Sequence, residues 1–519
     1  MRGSSFVWQA LATARARNVA EAGDAPPVPR APGVTRRTLI QGIAAAGLAA
    51  ALPRPARAFA GGRVAIIGGG IAGLSALHHL REAGVDAQVY EGRARTGGRM
   101  FTHRPASGPW FEVGGQLVNT DHDDMQKLCE RFGIKLVDRK AEPHRTLILG
   151  DGRLLGEAEL AEALRPIAAQ IDKDSARLDK DFARVAAELD RMSIAGYLDK
   201  HRALIGKPWV RELLEATSRT EYGVEPSHAS AVELVFALPT VDGTRVEVLG
   251  GSDERYVMQG GSSSLIEAMS AHYADRITMG KRLLRVESAR GGVRLGFLDG
   301  SSAEAETVIV AVPAPLLRQI DWRVPLPPVW RDFIAEMELG YNEKVQAATG
   351  ATPWRAPMGV GGELWQTSAQ AGWALGWDGS VHRADGVAPV WTWFLGGDEA
   401  RTEEAPSALS AGFAASAETA IPGLGAAATG PFARTNWHAQ AMTLGAYVNF
   451  RPGQITRFAR LLCVESDDPA ERHVPAAGRI HFAGEHLSEA YPGYMNGGAQ
   501  TGRVAAEAIS GRRAVRKAA

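Results

Sequence analysis

The chain has 519 residues, 45% of them hydrophobic, enough to bury more than one core and to build roughly two to four domain-sized units. Lysine plus arginine equals aspartate plus glutamate at 58 each, so no global field draws the protein to nucleic acid or to an acidic membrane surface. Its two cysteines, Cys129 and Cys463, lie far apart and form no metal-ligand pattern, so they read as core thiols, with a single disulfide as the alternative.

Residues 1–34 are rich in Ala, Arg and Pro and carry few large apolar groups, so they are expected to be disordered. The stretch "TRRTLIQGIAAAGLAAALPRPARA" follows, with paired Arg36 and Arg37, an apolar run from Leu39 to Leu52, and small residues around Ala56-Arg57-Ala58. These zones resemble an export signal of the twin-arginine type, which makes 1–58 a disordered N-region plus signal peptide. The mature chain then begins near Phe59 in the periplasm; the alternative, an amphipathic or disordered tail, leaves the protein in the cytoplasm. The run is too short and too rich in Ala and Gly to make a stable membrane span.

Next, "RVAIIG" reads as a buried strand and "IAGLSALHHLREAG" as a helix closed by Gly84. Between them Gly68, Gly70 and Gly73 satisfy G-x-G-x-x-G: a tight turn, an open approach to a pyrophosphate, and close packing of helix on strand, with Ile71 and Ala72 at the helix start. The following strand, "DAQVYE", ends in Glu91, the spacing at which a carboxylate meets a ribose diol. The chain continues "EGRARTGGRM", a second loop bringing Gly92, Gly98 and the cations Arg93 and Arg99 to the same phosphates, which suits FAD better than NAD.

Here the sequence resembles the flavin amine oxidase family, whose pattern after the second strand is E-A-x-x-R-x-G-G-R; Gly92 stands in place of its Ala. Further segments carry the likeness from residue 63 to about 510. "FEVGGQLV" supplies Gly114, Gly115 and Gln116 near the flavin ring, and "RLLRVES" supplies Leu283 for backbone contacts to adenine. "HFAGEHLSEAYPGYMNGGAQTG" supplies Gly484, Glu485, Gly493, Tyr494 and Met495 at a helix start suited to the negative charge of reduced flavin.

The resemblance implies an α/β fold: a Rossmann-like, p-hydroxybenzoate hydroxylase-like FAD-binding domain from 62–145, 255–312 and 452–510, and a discontinuous α+β substrate-binding domain from 146–254 and 313–451. Within the second, residues 157–200 have the helical period, with Pro166 as the expected kink. It also implies an aromatic pair, Tyr447 and Tyr494, flanking the amine, and Lys344 near the flavin through a water. Ala446 occupies the place where some members attach FAD through cysteine, so the FAD is expected to be non-covalent.

The implied reaction oxidises a small-molecule amine to an imine, which water hydrolyses, while O2 becomes H2O2. An L-amino-acid oxidase is the nearest alternative, with Arg219 as a candidate for holding the carboxylate. A polyamine oxidase would use carboxylates such as Glu221, Glu225 and Glu233, for which solvated surface is the plainer reading. A dehydrogenase, a desaturase-like enzyme and a non-catalytic flavoprotein complete the alternatives. His438 and His486 read as hydrogen-bonded structural histidines, and the oligomeric state is left open, a homodimer being one option.

Overall fold

A computed structural model describes residues 6–22, 63–106, 108–236, 240–242, 245–247, 252–466, 468 and 471–511. The first half is organised by the strand Val64–Ile67, all four residues of which are buried. A strand buried on both faces needs cover on both sides, which is the situation of a parallel sheet. Its sheet runs in the order Ile277–Thr278, Ala87–Tyr90, Val64–Ile67, Thr307–Val310, Ile480–Phe482, Ala476–Ala477, parallel except for the last pair. Helices Ile71–Glu82 and Met495–Ser510 pack against each other beside it. Arg503 of the second helix ties the region together through Asp124 (2.5 Å), Glu465 (2.8 Å) and Glu507 (2.9 Å).

The chain stays with this half beyond Val312. Strand Asp321–Arg323 pairs in parallel with Leu283–Ala289, and Trp330, on helix Pro328–Glu336, stacks on Phe482 with ring centroids 4.0 Å apart.

The second half is a seven-stranded sheet in the order Phe432–Arg434, Asn342–Ala348, Val390–Gly396, Leu375–Asp378, Glu363–Gln366, Thr146–Gly150, Arg153–Leu154. Trp354, Trp373, Trp391 and Trp393 fill one of its cores. A helical layer adds Glu157–Lys180, Phe182–Leu189, Ile194–Lys200 and Pro208–Tyr222. Pro166 lies inside the first of these, and the helical run is interrupted at Asp181.

Residues 6–22, expected to be disordered, form a helix, Phe6–Ala22, packed along Glu157–Lys180. Ala10, Leu11, Ala12 and Ala14 are buried, and Arg15 pairs with Asp172 at 2.5 Å. Composition misleads here because alanine suffices at a helix interface when the partner helix supplies the rest of the core, and Ala10, Leu11 and Ala14 join the same cluster as the buried residues of Glu157–Lys180. The twin-arginine stretch and the rest of 23–62 lie outside the described residues. Among the described residues, no helix is long and apolar enough to cross a membrane.

Candidate active site

The glycine loop after Val64–Ile67 is shaped by two close approaches. Gly68 has φ +104°, and a side chain there would meet the Ala311 carbonyl oxygen at 2.5 Å; a Cβ on Gly73 would sit 1.9 Å from the Gly68 oxygen. At Gly70, by contrast, a Cβ would meet nothing within 4 Å, leaving the helix N-terminus open on that side. Glu91, at the end of the neighbouring strand, is buried and accepts bonds from Gly69 N (2.6 Å) and Arg93 N (2.8 Å). The Arg93 guanidinium donates to Thr443 Oγ1 at 2.5 Å, and burial lowers its pKa. Arg99 donates to Glu485 Oε1 at 2.9 Å, while the other oxygen of Glu485 accepts from Gly493 N at 2.8 Å. Exposed amides and cations held this way can take a pyrophosphate.

These loops open into a cavity of about 320 Å³ that reaches the second half of the molecule. Every residue singled out from the sequence for cofactor or catalysis lines it except Gly73, which instead seats the helix on the sheet. Neither cysteine lines it; both are free, buried thiols.

Lys344 comes from Asn342–Ala348, a strand buried at every position. Its ammonium donates to the carbonyls of Glu112 (3.0 Å) and Gly114 (2.8 Å) and to Gln116 Oε1 (3.3 Å). Burial lowers its pKa to about 8, against the opposing pull of the Glu112 and Glu254 carboxylates. Glu112 itself is satisfied by Ser262 N and Oγ, each at 2.7 Å, and by Thr102 Oγ1 at 3.0 Å.

The same strand run fixes Tyr447. Gly340 N donates to the Tyr447 carbonyl at 2.7 Å and Asn342 N to the Ala446 carbonyl at 2.8 Å, while the Tyr447 hydroxyl donates to Thr220 O at 2.7 Å. Tyr494 caps the Met495–Ser510 helix, with the His122 ring edge-on at 5.0 Å between centroids. Burial, then the carboxylate of Glu221, raises the pKa of both phenols, so both stay neutral.

Most of the remaining wall carries no sequence motif: Thr220, Glu254, Asn342, Glu363, Leu375, Trp377, Phe394, Thr435 and Trp437 line the cavity too. Glu221 is part of it rather than solvated surface, and its pKa is raised to about 7 by burial and by the neighbouring Glu254 carboxylate. Glu363 is held by Lys140 at 3.1 Å. Glu233 is buried and Glu225 is half-buried beside Arg219; neither lines the cavity.

Arg219 does not line it either: its guanidinium is buried in ion pairs with Glu399 (2.9 Å) and Glu225 (3.5 Å). His438 bonds Glu343 at 3.0 Å, as a structural histidine should. His486 departs from that expectation: it borders the cavity, stacks on Phe333, and its Nδ1 has no hydrogen-bond partner among the described residues; burial lowers its pKa to about 4.

The flavin containing amine oxidoreductase family matches residues 71–510. A flavin-containing amine oxidase of Oncorhynchus mykiss is 24% identical over 473 residues, covering 86% of this chain and 85% of that one. An L-amino acid dehydrogenase of Synechocystis is 22% identical over 480 residues, covering 86% and 94%. Among solved structures, putrescine oxidase bound to putrescine aligns with a TM-score of 0.71 at 22% identity, covering 87% of this chain and 100% of that one. Cyclohexylamine oxidase from Brevibacterium oxydans aligns with a TM-score of 0.71 at 23% identity, covering 87% and 99%. The mixed α/β fold is therefore that of these oxidases, and the chain belongs to the flavin containing amine oxidoreductases, a family of oxidoreductase enzymes.

Proposed function

We propose that the protein is an FAD-dependent amine oxidase whose substrates are amines without a carboxylate beside the nitrogen. The observation that carries this is the distribution of charge in the cavity. Arg93, Arg99, Lys281 and Arg282 belong to the loops around Glu91 and Glu485, whereas the wall near the two tyrosines offers Glu221 and Glu254, with Lys344 as its cation. Lys344 already has three acceptors, and Arg219 is neutralised by two carboxylates. Above about pH 7, where Glu221 loses its proton, a carboxylate on the substrate would be desolvated against an anionic wall, which costs more than one poorly placed cation returns.

The nucleotide end supports non-covalent FAD. The open side at Gly70 fits a pyrophosphate, Arg93 and Arg99 would neutralise it, and the helix beginning at Met495 would face the flavin ring with its unpaired amides. No thiol borders the cavity to form a covalent link through sulfur. When bound, the flavin supplies the two-electron acceptor for a hydride leaving the carbon next to nitrogen, with O2 as the final oxidant. The balanced reaction is amine plus O2 plus water giving an aldehyde or ketone, ammonia or a smaller amine, and H2O2.

The protein's own groups prepare the amine for that loss. Glu221 and Glu254 draw an ammonium into the cavity, and Glu221, with a pKa near neutrality, accepts its proton at a carboxylate oxygen. The released lone pair is then available to the carbon. Tyr447 and Tyr494 exclude water with neutral rings whose faces favour the partial positive charge developing on nitrogen. Lys344 fixes the backbone of Glu112 and Gly114 and would offer a positive charge to the bound flavin.

A peroxide-forming assay on matched pairs tests the reading: 2-phenylethylamine against L-phenylalanine, and cadaverine against L-lysine. The amine of each pair is expected to exceed its amino acid in kcat/KM by at least about 100-fold, on the order of the discrimination that an unpaired buried charge produces. A preference for the amino acids would overturn it, and substrate oxidation without peroxide would make the protein a dehydrogenase.

A further inference from the structure

We infer that the Phe6–Ala22 helix is a permanent working part of the protein, which braces the wall carrying Thr220 and Glu221, and that the functional chain retains it. The interface is specific rather than a loose apolar contact. Leu11, Ala12 and Ala14 are fully buried, and Leu11 and Ala14 join one core cluster with Leu160, Leu164, Ile167 and Ile171. Polar groups match in the same register. Arg15, itself buried, pairs with Asp172 at 2.5 Å; Asn18 Nδ2 donates to the Arg165 carbonyl and Arg165 Nε donates back to Asn18 Oδ1, both at 2.8 Å; Glu21 meets the same guanidinium.

The helix reaches the cavity through one intermediate. It touches Pro208–Tyr222 as well as Glu157–Lys180, and Trp209, Val210, Leu213 and Leu214 belong to the cluster that contains Leu11. The last turn of Pro208–Tyr222 presents Thr220, whose carbonyl holds the Tyr447 hydroxyl at 2.7 Å, and Glu221. Without Phe6–Ala22, the face of Glu157–Lys180 that carries Ala158, Arg165 and Asp172 would lose its cover, and the helix carrying Thr220 would lose part of its support.

This conflicts with removal of residues 1–58 as a cleaved leader, since cleavage near Ala58 would sever the helix from the chain. The kinetic part of the inference rests on the cavity wall near Tyr447 being the substrate site; the structural part does not. Three readouts separate them: the intact mass of the protein isolated from cells that make it and, comparing the full chain with a chain beginning at residue 23, hydrogen exchange of the holoprotein and steady-state kinetics.

The mass is expected to include residues 6–22. In the shortened chain, amides of 157–222 should exchange at least about tenfold faster while those of 64–90 and 495–510 are unchanged, as expected of a local rather than global opening. The KM for an amine should rise about fivefold or more with kcat within about twofold, the signature of a disturbed binding wall. Arg15→Ala should move exchange and KM in the same direction, and Arg15→Lys should restore both, which keeps the inference testable if the shortened chain fails to fold. A mature mass beginning near residue 59 would overturn it, as would unchanged exchange and KM in both the shortened chain and Arg15→Ala. If no amine is oxidised by the full chain, the proposed function fails, while mass and exchange still judge the helix.

Discussion

Glu221 makes the cavity sensitive to pH, and the sign can be worked out. Its folded pKa of about 7 lies above the ordinary carboxyl value of 4.5, so between these limits the folded protein holds a proton that the unfolded chain has lost. Stability contributed by this group therefore falls as pH rises through that window. The thermal midpoint of the wild type should fall more between pH 5 and pH 7 than that of Glu221→Gln; equal slopes would remove the burial argument. Lys344 works in a higher window: its pKa is lowered to about 8 from 10.5, so its burial is penalised below 8 and the penalty is relieved as pH rises toward 10.5. Lys344→Met leaves two carbonyls and the Gln116 oxygen without their donor, and amine oxidation followed by oxygen uptake should drop by at least about tenfold, as when one preorganised charge is lost. Activity within twofold of wild type would deny the lysine a place in the reaction. The tyrosines and Lys344 were legible because each sits in a segment of family pattern. Glu254 was not: it has φ +46° in an irregular segment, and no local pattern announces that such a segment will face a helix end some thirty residues earlier in the chain.

The glycine loop shows which local rules survive into the fold. Gly73→Ala would place a methyl group 1.9 Å from the Gly68 carbonyl oxygen, so helix and strand must separate. A loss of roughly 2 kcal/mol or more is expected, with weaker flavin retention, whereas Gly412→Ala, inside a helix with nothing within 4 Å, should gain up to about 1 kcal/mol. Denaturant melts of the holoproteins check both, and a neutral Gly73→Ala would refute the close approach. The strand, glycine turn and helix were readable because their constraints are local in sequence. The position of strand Asp321–Arg323 was not, since its partner, Leu283–Ala289, is chosen by a shared sheet edge rather than by anything in its own residues. The Phe6–Ala22 helix escaped for a related reason: its alanines become a core only against the leucines and isoleucines of Glu157–Lys180.

Two halves, each assembled from distant parts of the chain, meet at one cavity, and the meeting determines the chemistry. The sheet around Val64–Ile67 contributes glycine turns, a helix start and arginines; the sheet around Asn342–Ala348 contributes Lys344, aromatic rings and one held carboxylate, Glu363. Helix Pro208–Tyr222 closes the far side with Glu221. Family membership follows from the first set, because the phosphate-binding pattern is contiguous enough to be recognised in sequence. In the proposed function substrate choice follows from the second, whose residues are gathered from separate strands and an irregular segment. Amine oxidation is the claim on which both depend, and anaerobic titration of the purified flavoprotein tests it most directly. Amines without a carboxylate should bleach the oxidised flavin band, and air should restore it with one peroxide formed per flavin. Bleaching by L-amino acids alone, or by neither class, would contradict the account.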